Sequence, residues 1–209
     1  MPPQFITFTG IDARTDLKRC REISMRWPVE WGCLIGGKLG KNRYPVSTVI
    51  QDAGKVLRTA LHSSNDFANY ANSGILPSET YEHNRLQVNL RADEYDLSTL
   101  GHAAAVCGTP VIVQIRDAFP KRKTGSWLQF LFDQSGGRGT SPEAYPEAPD
   151  DNLVGYAGGL NPMNVADACN RIKARNYWID METGVRDEND YLDLDKCEAV
   201  CRAVYGAVD

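Results

Sequence analysis

The sequence has no run of apolar residues long enough to cross a membrane, so we expect no transmembrane segment. Histidine is scarce, at three residues, and the six cysteines are scattered without a CxxC pair. Metal sites and disulfide frameworks need clusters of these residue types, so we predict no metal site, no disulfide and no cofactor. The cysteines are instead expected to be small core residues of a cytoplasmic protein. A strand pattern directly follows Met1-Pro2-Pro3-Gln4, so we also expect no signal peptide.

An excess of basic charge is also lacking. The chain has 23 Lys and Arg residues against 27 Asp and Glu residues, which gives a formal net charge of −4. The one compact basic run, Lys121-Arg122-Lys123, is too short and isolated to indicate a nucleic-acid surface. We therefore predict no nucleic-acid partner and no membrane partner, and either a monomer or a homodimer.

The sequence does contain eight strand-like runs with helical patterns between most of them. The predicted strands are residues 5–8, 30–35, 56–61, 86–90, 110–115, 127–132, 153–156 and 177–181. Alternation of strands and helices is typical of a parallel sheet. We predict an α/β protein of one domain, residues 1–209, folded as a single (β/α)8 TIM barrel.

Two connections leave little room for a helix. Residues 117–126 contain Pro120 and the short basic run, and residues 140–151 contain three prolines. We therefore expect the fifth and sixth helices of the barrel to be degenerate.

Glycines follow the last two predicted strands, at Gly158-Gly159 and at Gly184. Without a Cβ atom, these residues let backbone amides approach a ligand closely, and helix N-termini add a partial positive charge. We predict that the helix after strand 7 begins at Asn161 as its cap, with Pro162 in its first turn. Paired turns of this kind after strands 7 and 8 hold phosphate in many barrels, so the pattern indicates an anion-binding site.

Further short motifs lie at the ends of predicted strands. They are Phe8-Thr9-Gly10-Ile11, Gly40-Lys41-Asn42-Arg43-Tyr44, Leu131-Phe132-Asp133 with Gly136-Gly137-Arg138-Gly139, Ala157-Gly158-Gly159-Leu160-Asn161-Pro162, and Asp180-Met181-Glu182-Thr183-Gly184-Val185. In this order they resemble the motifs of phosphoribosylanthranilate isomerase, a tryptophan-pathway family of ribulose-phosphate-binding barrels.

The resemblance implies roles for several residues. Asp133 would be the general acid, and Arg43 would bind an anionic part of the ligand. The phosphate would be held by backbone groups of Gly158, Gly159 and Gly184 and by the Thr183 hydroxyl. The implied partner is a small anionic metabolite, either a phosphorylated sugar or a nucleotide-like compound.

Three positions depart from the family pattern. Thr9 stands where the family has a cysteine that acts as general base, and a threonine hydroxyl cannot take that role near neutral pH. Arg91 is aligned with a histidine after strand 4, where it is a candidate ligand contact. Glu182 replaces the first serine of the phosphate turn. We therefore do not expect the tryptophan-pathway activity itself.

The carboxylate of Glu182 conflicts with a bound phosphate. Side chains alternate along a strand, so Asp180 and Glu182 share a face. A carboxylate ~4 Å from a phosphate charge costs about 4 kcal/mol at an effective dielectric of ~20. Glu182 must therefore turn away, be neutralised by a cation such as Arg186 or Arg138, or prevent a dianion from binding.

Three further residues are candidates for the site or for its support. Asp12 either caps the first helix or replaces the missing base near Thr9. Asp180 is interpreted as a structural carboxylate that holds loop amides, and His62 is a candidate residue of the barrel mouth.

Two functions follow from these residues, and a third stays open. The first is an isomerase-like or bond-cleaving enzyme with Asp133 as proton donor and Glu182 or Asp12 as base. The second is a non-catalytic barrel that binds or sequesters a sugar phosphate or nucleotide. The third is a structural or partner-binding protein whose barrel mouth is vestigial.

Overall fold

Eight parallel strands close into a barrel in chain order, and β8 pairs with β1. The computed structural model describes residues 1–37, 42–91, 94–121, 125–134, 140–149 and 152–207. The strands are β1 (Ile6–Thr9), β2 (Val29–Ile35), β3 (Thr59–Ser63), β4 (Arg85–Val88), β5 (Val111–Ile115), β6 (Leu128–Phe132), β7 (Val154–Tyr156) and β8 (Tyr177–Met181). The predicted TIM barrel is confirmed. β3 begins later than predicted because Val56 ends the preceding helix.

Six α-helices surround the barrel in the described ranges. They are α1 (Leu17–Arg26), α2 (Ser47–Val56), α3 (Asn65–Asn72), α4 (Leu97–Cys107), α5 (Val165–Arg171) and α6 (Leu194–Tyr205). Short 3₁₀ helices lie at Ser78–Glu82 and Thr183–Val185. None of the helices in these ranges has the length and apolar character needed to span a bilayer.

The connections after β5 and β6 have no helix among their described residues, as the sequence predicts. Prolines at 142, 146 and 149 lie in the second of these connections. Proline cannot donate a backbone hydrogen bond and clashes with the preceding helical turn, which accounts for the extended path. The described residues of these two connections therefore form loops.

The helix after β7 begins at Val165, three residues beyond the predicted first-turn residue Pro162. The prediction of its start was wrong, although Asn161 still has a capping role. Its side chain accepts a hydrogen bond from the Met163 amide at 2.9 Å, and its carbonyl accepts one from the Val165 amide at 3.1 Å. A turn thus connects the glycine pair to the helix.

The barrel interior has an apolar part and a polar part. The apolar cluster comprises Phe5, Ile112, Leu131, Ala157 and Trp178. The main hydrophobic core lies between the strands and the helices, where the buried stripes of α1 and α6 pack against the barrel.

The polar part is built around a buried ion pair between Arg85 of β4 and Glu30 of β2. Thr7 donates a hydrogen bond to Glu30, and Arg85 donates one to Gln129 of β6 at 2.9 Å. Burial alone raises the pKa of Glu30, but Arg85 and Arg58 overcome it and hold the pKa below its ordinary value. These side chains therefore fill the lower barrel, the half nearer the amino ends of the strands. The open space lies above them, at the carboxyl ends.

Candidate active site

A cavity of about 380 Å³ opens at the carboxyl ends of the strands. Its polar lining side chains on the described residues are Thr9, His62, Gln87, Asn89, Gln114, Asp133, Asn161, Asp180, Glu182 and Thr183. The turns at Gly158-Gly159 and Gly184 also line it. The fold thus brings together most of the residues that the sequence singles out. They lie at the end of the barrel where TIM-barrel enzymes hold their substrates.

Asp180 lies in the cavity wall and is held by Thr9. The Thr9 hydroxyl donates a hydrogen bond to Asp180 Oδ1 at 2.9 Å. Burial raises the pKa of Asp180 to about 7, and the nearby Glu182 charge adds to this effect, while the Thr9 hydrogen bond opposes it. The sequence interpretation of Asp180 as an amide-holding carboxylate finds no support among the described residues, where its hydrogen bond is to a hydroxyl. Asp180 can exchange a proton near neutral pH.

Space for the Thr9 hydroxyl depends on Gly32 of β2. A Cβ atom at Gly32 would overlap the Thr9 side chain. The glycine therefore allows Thr9 to turn towards Asp180, an arrangement that a single sequence does not reveal.

Asp133 lies immediately after β6 and is 5% exposed. Its backbone amide donates to the Ile115 carbonyl at 2.9 Å, which fixes the strand end. Its Oδ1 atom lies 3.8 Å from the position that a Cβ atom of Gly158 would occupy. The carboxylate and the first glycine turn therefore face the same space.

The two glycine turns are adjacent and tightly packed. Gly158 has φ +112° and Gly159 has φ +61°, which L side chains rarely adopt. A Cβ atom at Gly184 would overlap the carbonyl oxygen of Leu160, so the turn after β8 packs directly on the turn after β7. Within the described chain, the amides of Gly158, Gly159 and Gly184 donate no hydrogen bond. These N–H groups are available to an anionic ligand.

Glu182 is neutralised by arginines, which is the second of the three arrangements that the sequence allows. Arg43 Nη1 donates to Glu182 Oε1 at 2.7 Å, and Arg186 Nη2 lies 3.7 Å from the same oxygen. Arg43 also forms a bidentate ion pair with Asp190, in which Nε donates to Oδ2 at 2.8 Å and Nη2 donates to Oδ1 at 2.6 Å. Burial raises the pKa of Glu182, and the two arginines oppose that rise.

Some sequence-predicted features lie outside the described residues. These are residues 38–41 of the basic loop and the turn at 136–139 with Arg138. Arg43 itself is described, but it does not line the cavity. Its ion-pair partner Glu182 does line the cavity.

Asp12 is not part of the cavity lining. Its Oδ1 accepts a hydrogen bond from the Arg14 amide at 2.9 Å, and its Oδ2 accepts one from the Leu192 amide at 2.7 Å. The cap of α1 is Asp16, so the prediction that Asp12 caps this helix was wrong. Because Asp12 lies away from the cavity and both its oxygens are occupied, the structure does not support its role as a replacement base.

Arg91 is exposed and also does not line the cavity. β4 ends at Val88, so Asn89 comes directly after the strand, while Arg91 lies three residues beyond Val88. The Arg91 amide donates a hydrogen bond to Glu94 Oε2 at 3.1 Å. Sequence reasoning missed Gln87, Asn89 and Gln114. The period-2 alternation towards the end of each strand is the signal that could have found Gln87 and Gln114.

Fold and site together define a (β/α)8 barrel with a polar cavity at the carboxyl ends of its strands. No protein-family model and no curated protein matches the sequence.

Solved structures that share the fold include phosphoribosylanthranilate isomerases. The enzyme from Thermus thermophilus is 16% identical, with a TM-score of 0.62 over 96% of this chain and 97% of that one. TrpF from Jonesia denitrificans is 17% identical, with a TM-score of 0.65 over 98% and 97%. A phosphoribosyl anthranilate isomerase in complex with reduced 1-(o-carboxyphenylamino)-1-deoxyribulose 5-phosphate is 12% identical, with a TM-score of 0.64 over 98% and 100%. At these identities the likeness establishes the fold.

Proposed function

We propose that the protein is a cytoplasmic enzyme that performs acid–base chemistry on a small phosphorylated, ribose-like metabolite. The observation that carries this proposal is the buried carboxylate of Asp180, which accepts a hydrogen bond from Thr9 in the wall of a cavity that Asp133 also lines. Burial at this position raises the pKa of Asp180 to about 7. A catalytic acid or base works best when its pKa lies near the working pH. Such groups in a cleft are candidates for functional residues.

The phosphate end of the ligand is proposed to bind at the two glycine turns. Amides of Gly158, Gly159 and Gly184 are available, and the Thr183 hydroxyl stands beside them. One similar isomerase has been solved with a ribulose 5-phosphate derivative, which supports this class of ligand. Pairing of Glu182 with Arg43 and Arg186 reduces the repulsion that its charge would otherwise exert.

The chemical step is assigned to Asp133 and Asp180. Asp133, at the position that resembles the family's general acid, donates a proton to the departing or ring oxygen of the ligand. Asp180 accepts a proton from the carbon or nitrogen that is deprotonated, and Thr9 orients it through their hydrogen bond. Proton transfer by a positioned side chain typically accelerates a reaction by about 10²- to 10⁴-fold. Isomerisation and cleavage of a glycosidic carbon–nitrogen or carbon–oxygen bond both suit this pair.

The tryptophan-pathway reaction is not the proposed activity. Thr9, where that family has its cysteine, donates to Asp180 instead of acting as a base. We expect no turnover of N-(5′-phosphoribosyl)anthranilate.

A non-catalytic binding protein is the second candidate. It is favoured by the ion pairs that already hold Arg43, the residue with the implied ligand contact. Native mass spectrometry of the purified chain with ribose 5-phosphate, nucleotides and aryl glycosylamine phosphates separates the two functions. An enzyme returns a bound ligand in altered form, whereas a binding protein returns it unchanged.

The Asp133→Asn variant is the catalytic test, with Asp16→Asn as its matched control on helix α1. The assignment is supported if Asp133→Asn no longer alters a ligand that the wild type converts, while Asp16→Asn still does. Retained turnover in Asp133→Asn would remove Asp133 from the mechanism. Light scattering on the same samples distinguishes a monomer from a homodimer.

A further inference from the structure

His62 and Gln87 lie side by side in the wall of the cavity. They are register partners on β3 and β4, and they are 3% and 2% exposed. Both line the cavity, on strands distant from the glycine turns after β7 and β8. A ligand with its phosphate at those turns reaches across the cavity towards these two side chains.

Each of these side chains has a buried polar atom without a partner in the part of the chain that the structure describes. The atoms are His62 Nε2 and Gln87 Oε1. Buried polar atoms in folded proteins are nearly always hydrogen-bonded, and leaving one unpaired costs free energy. Two such side chains on neighbouring strands, both in the wall of one cavity, indicate a place where a ligand supplies the missing bonds.

The pattern of donors and acceptors defines what fits. The amide nitrogen of Gln87 donates to Asn89 Oδ1 at 2.9 Å, which leaves Oε1 as an acceptor. Burial lowers the pKa of His62 to about 3, so its ring is neutral at physiological pH and carries one N–H donor and one acceptor. With the N–H of this ring at Nε2, the complementary ligand group has an N–H beside a carbonyl oxygen.

A carboxylate does not fit this place. No Lys or Arg belongs to the described residues that line the cavity, whereas Asp133, Asp180 and Glu182 do. Arg85, from the layer below, is already paired with Glu30. A ligand carboxylate would face the Gln87 oxygen with no N–H to offer it and no cation to compensate its charge.

We propose that His62 and Gln87 select a ligand whose end distant from the phosphate is an uncharged amide-like group, such as a carboxamide or lactam edge. Gln87 Oε1 accepts its N–H, and His62 Nε2 donates to its carbonyl oxygen. This inference rests on the proposed function for the orientation of the ligand. It adds the chemistry of the group that distinguishes this ligand from a carboxylated one.

Calorimetry with two matched probes tests the selection. Nicotinamide mononucleotide and nicotinic acid mononucleotide share a ribose 5-phosphate and differ in carrying a carboxamide or a carboxylate. We expect the protein to bind the carboxamide about tenfold or more tightly, which corresponds to at least about 1.4 kcal/mol. In Gln87→Met the preference should fall towards one, while affinity for ribose 5-phosphate is unchanged. Gln4→Met, at an exposed glutamine, should keep the wild-type preference.

Histidine-ring NMR with nicotinamide and nicotinate, which have no phosphate, separates this inference from the proposed function. Only three histidines are present, and the His62→Leu variant assigns the signal. A shift of the His62 ring by nicotinamide alone supports the inference, even if ribose 5-phosphate does not bind and the proposed function fails. Equal binding of the two mononucleotides, tighter binding of the carboxylate, or no His62 shift with either fragment would overturn it.

Discussion

Single carboxylates of this protein differ in chemistry because their partners differ. Both oxygens of Asp12 accept hydrogen bonds from backbone amides, so that this side chain connects two loops. Glu182 is compensated by Arg43 and Arg186. Asp180 has one hydroxyl donor and lies in a buried wall, so its charged form is the least well supported and its pKa rises. The sequence alone presents all three as equivalent acids.

Stability should report the titration of Asp180. Its pKa is about 7 in the folded chain against an ordinary 3.8, so its contribution is complete below pH 4 and is lost as pH rises through 7. Relative to Asp180→Asn, the wild type should gain up to about 4 kcal/mol of unfolding free energy across that interval as pH falls. Denaturant titrations at several pH values measure this difference. If the difference in unfolding free energy between the two proteins does not change with pH, Asp180 does not titrate near neutral pH.

Gly184 should be intolerant of even a methyl group. A Cβ atom there overlaps the Leu160 backbone oxygen, which cannot rotate away, so Gly184→Ala should destabilise by roughly 1–3 kcal/mol. It should also weaken phosphate binding, because the two turns would separate. Gly101→Ala is the control, since nothing lies within 4 Å of its Cβ position in helix α4. That change should be neutral or stabilise by about 0.5–1 kcal/mol. Equal thermal unfolding of the two variants would contradict the packing described.

At the scale of elements, the loop between β2 and α2 is tied to the loop after β8. Asn42 donates to the Asn189 carbonyl at 2.9 Å, and Arg43 binds Asp190 and Glu182. Asn42 and Arg43 thus connect the two loops close to the turn after β8. We infer that this connection holds a cation against Glu182, whose charge would otherwise repel the proposed phosphate.

A double-mutant cycle tests that function. If Arg43 acts by neutralising Glu182, Arg43→Gln should weaken ribose 5-phosphate binding about tenfold, and much less in a Glu182→Gln background. Arg19→Gln, which removes an arginine paired with Asp195 and Glu198 on the outer surface, should leave binding unchanged. An equal loss in both backgrounds would mean instead that Arg43 contacts the ligand itself.

The elements are largely predictable because their signals are local. Apolar runs predict eight strands that each overlap an observed one, although β3 begins later than predicted. Prolines at 142, 146 and 149 predict that no helix follows β6, and the described residues of that connection contain none. Glycine spacing likewise placed the turns at Gly158-Gly159 and Gly184. The start of α5 was missed because Asn161 caps a turn that precedes the helix.

The remainder of the site depends on distances between residues far apart in sequence. The Thr9–Asp180 hydrogen bond joins residues 171 positions apart, and the Arg43–Asp190 pair joins residues 147 apart. The partners of Asp12, and the absence of partners at His62 Nε2 among the described residues, likewise follow from packing. A single sequence names the residue types in the mouth but not which of them compensate one another.

At the scale of the whole molecule, the lower barrel is held by the buried Arg85–Glu30 pair. Glu30→Gln leaves the Arg85 charge buried without its counter-ion, so it should cost roughly 3–5 kcal/mol of stability. The double variant Arg85→Met/Glu30→Gln should cost less, because no charge remains buried. Chemical denaturation of the three proteins measures this. A double variant less stable than Glu30→Gln would contradict the account.

The barrel fold itself does not determine the reaction, because the same architecture supports many chemistries. The central claim is therefore the ligand site at the glycine turns. The most direct measurement is a titration of ¹⁵N-labelled protein with ribose 5-phosphate, followed through its amide signals. The account predicts saturable shifts centred on Gly158, Gly159 and Gly184, with none from ribose at the same concentration. No shift at these amides, or equal shifts with ribose, would contradict it.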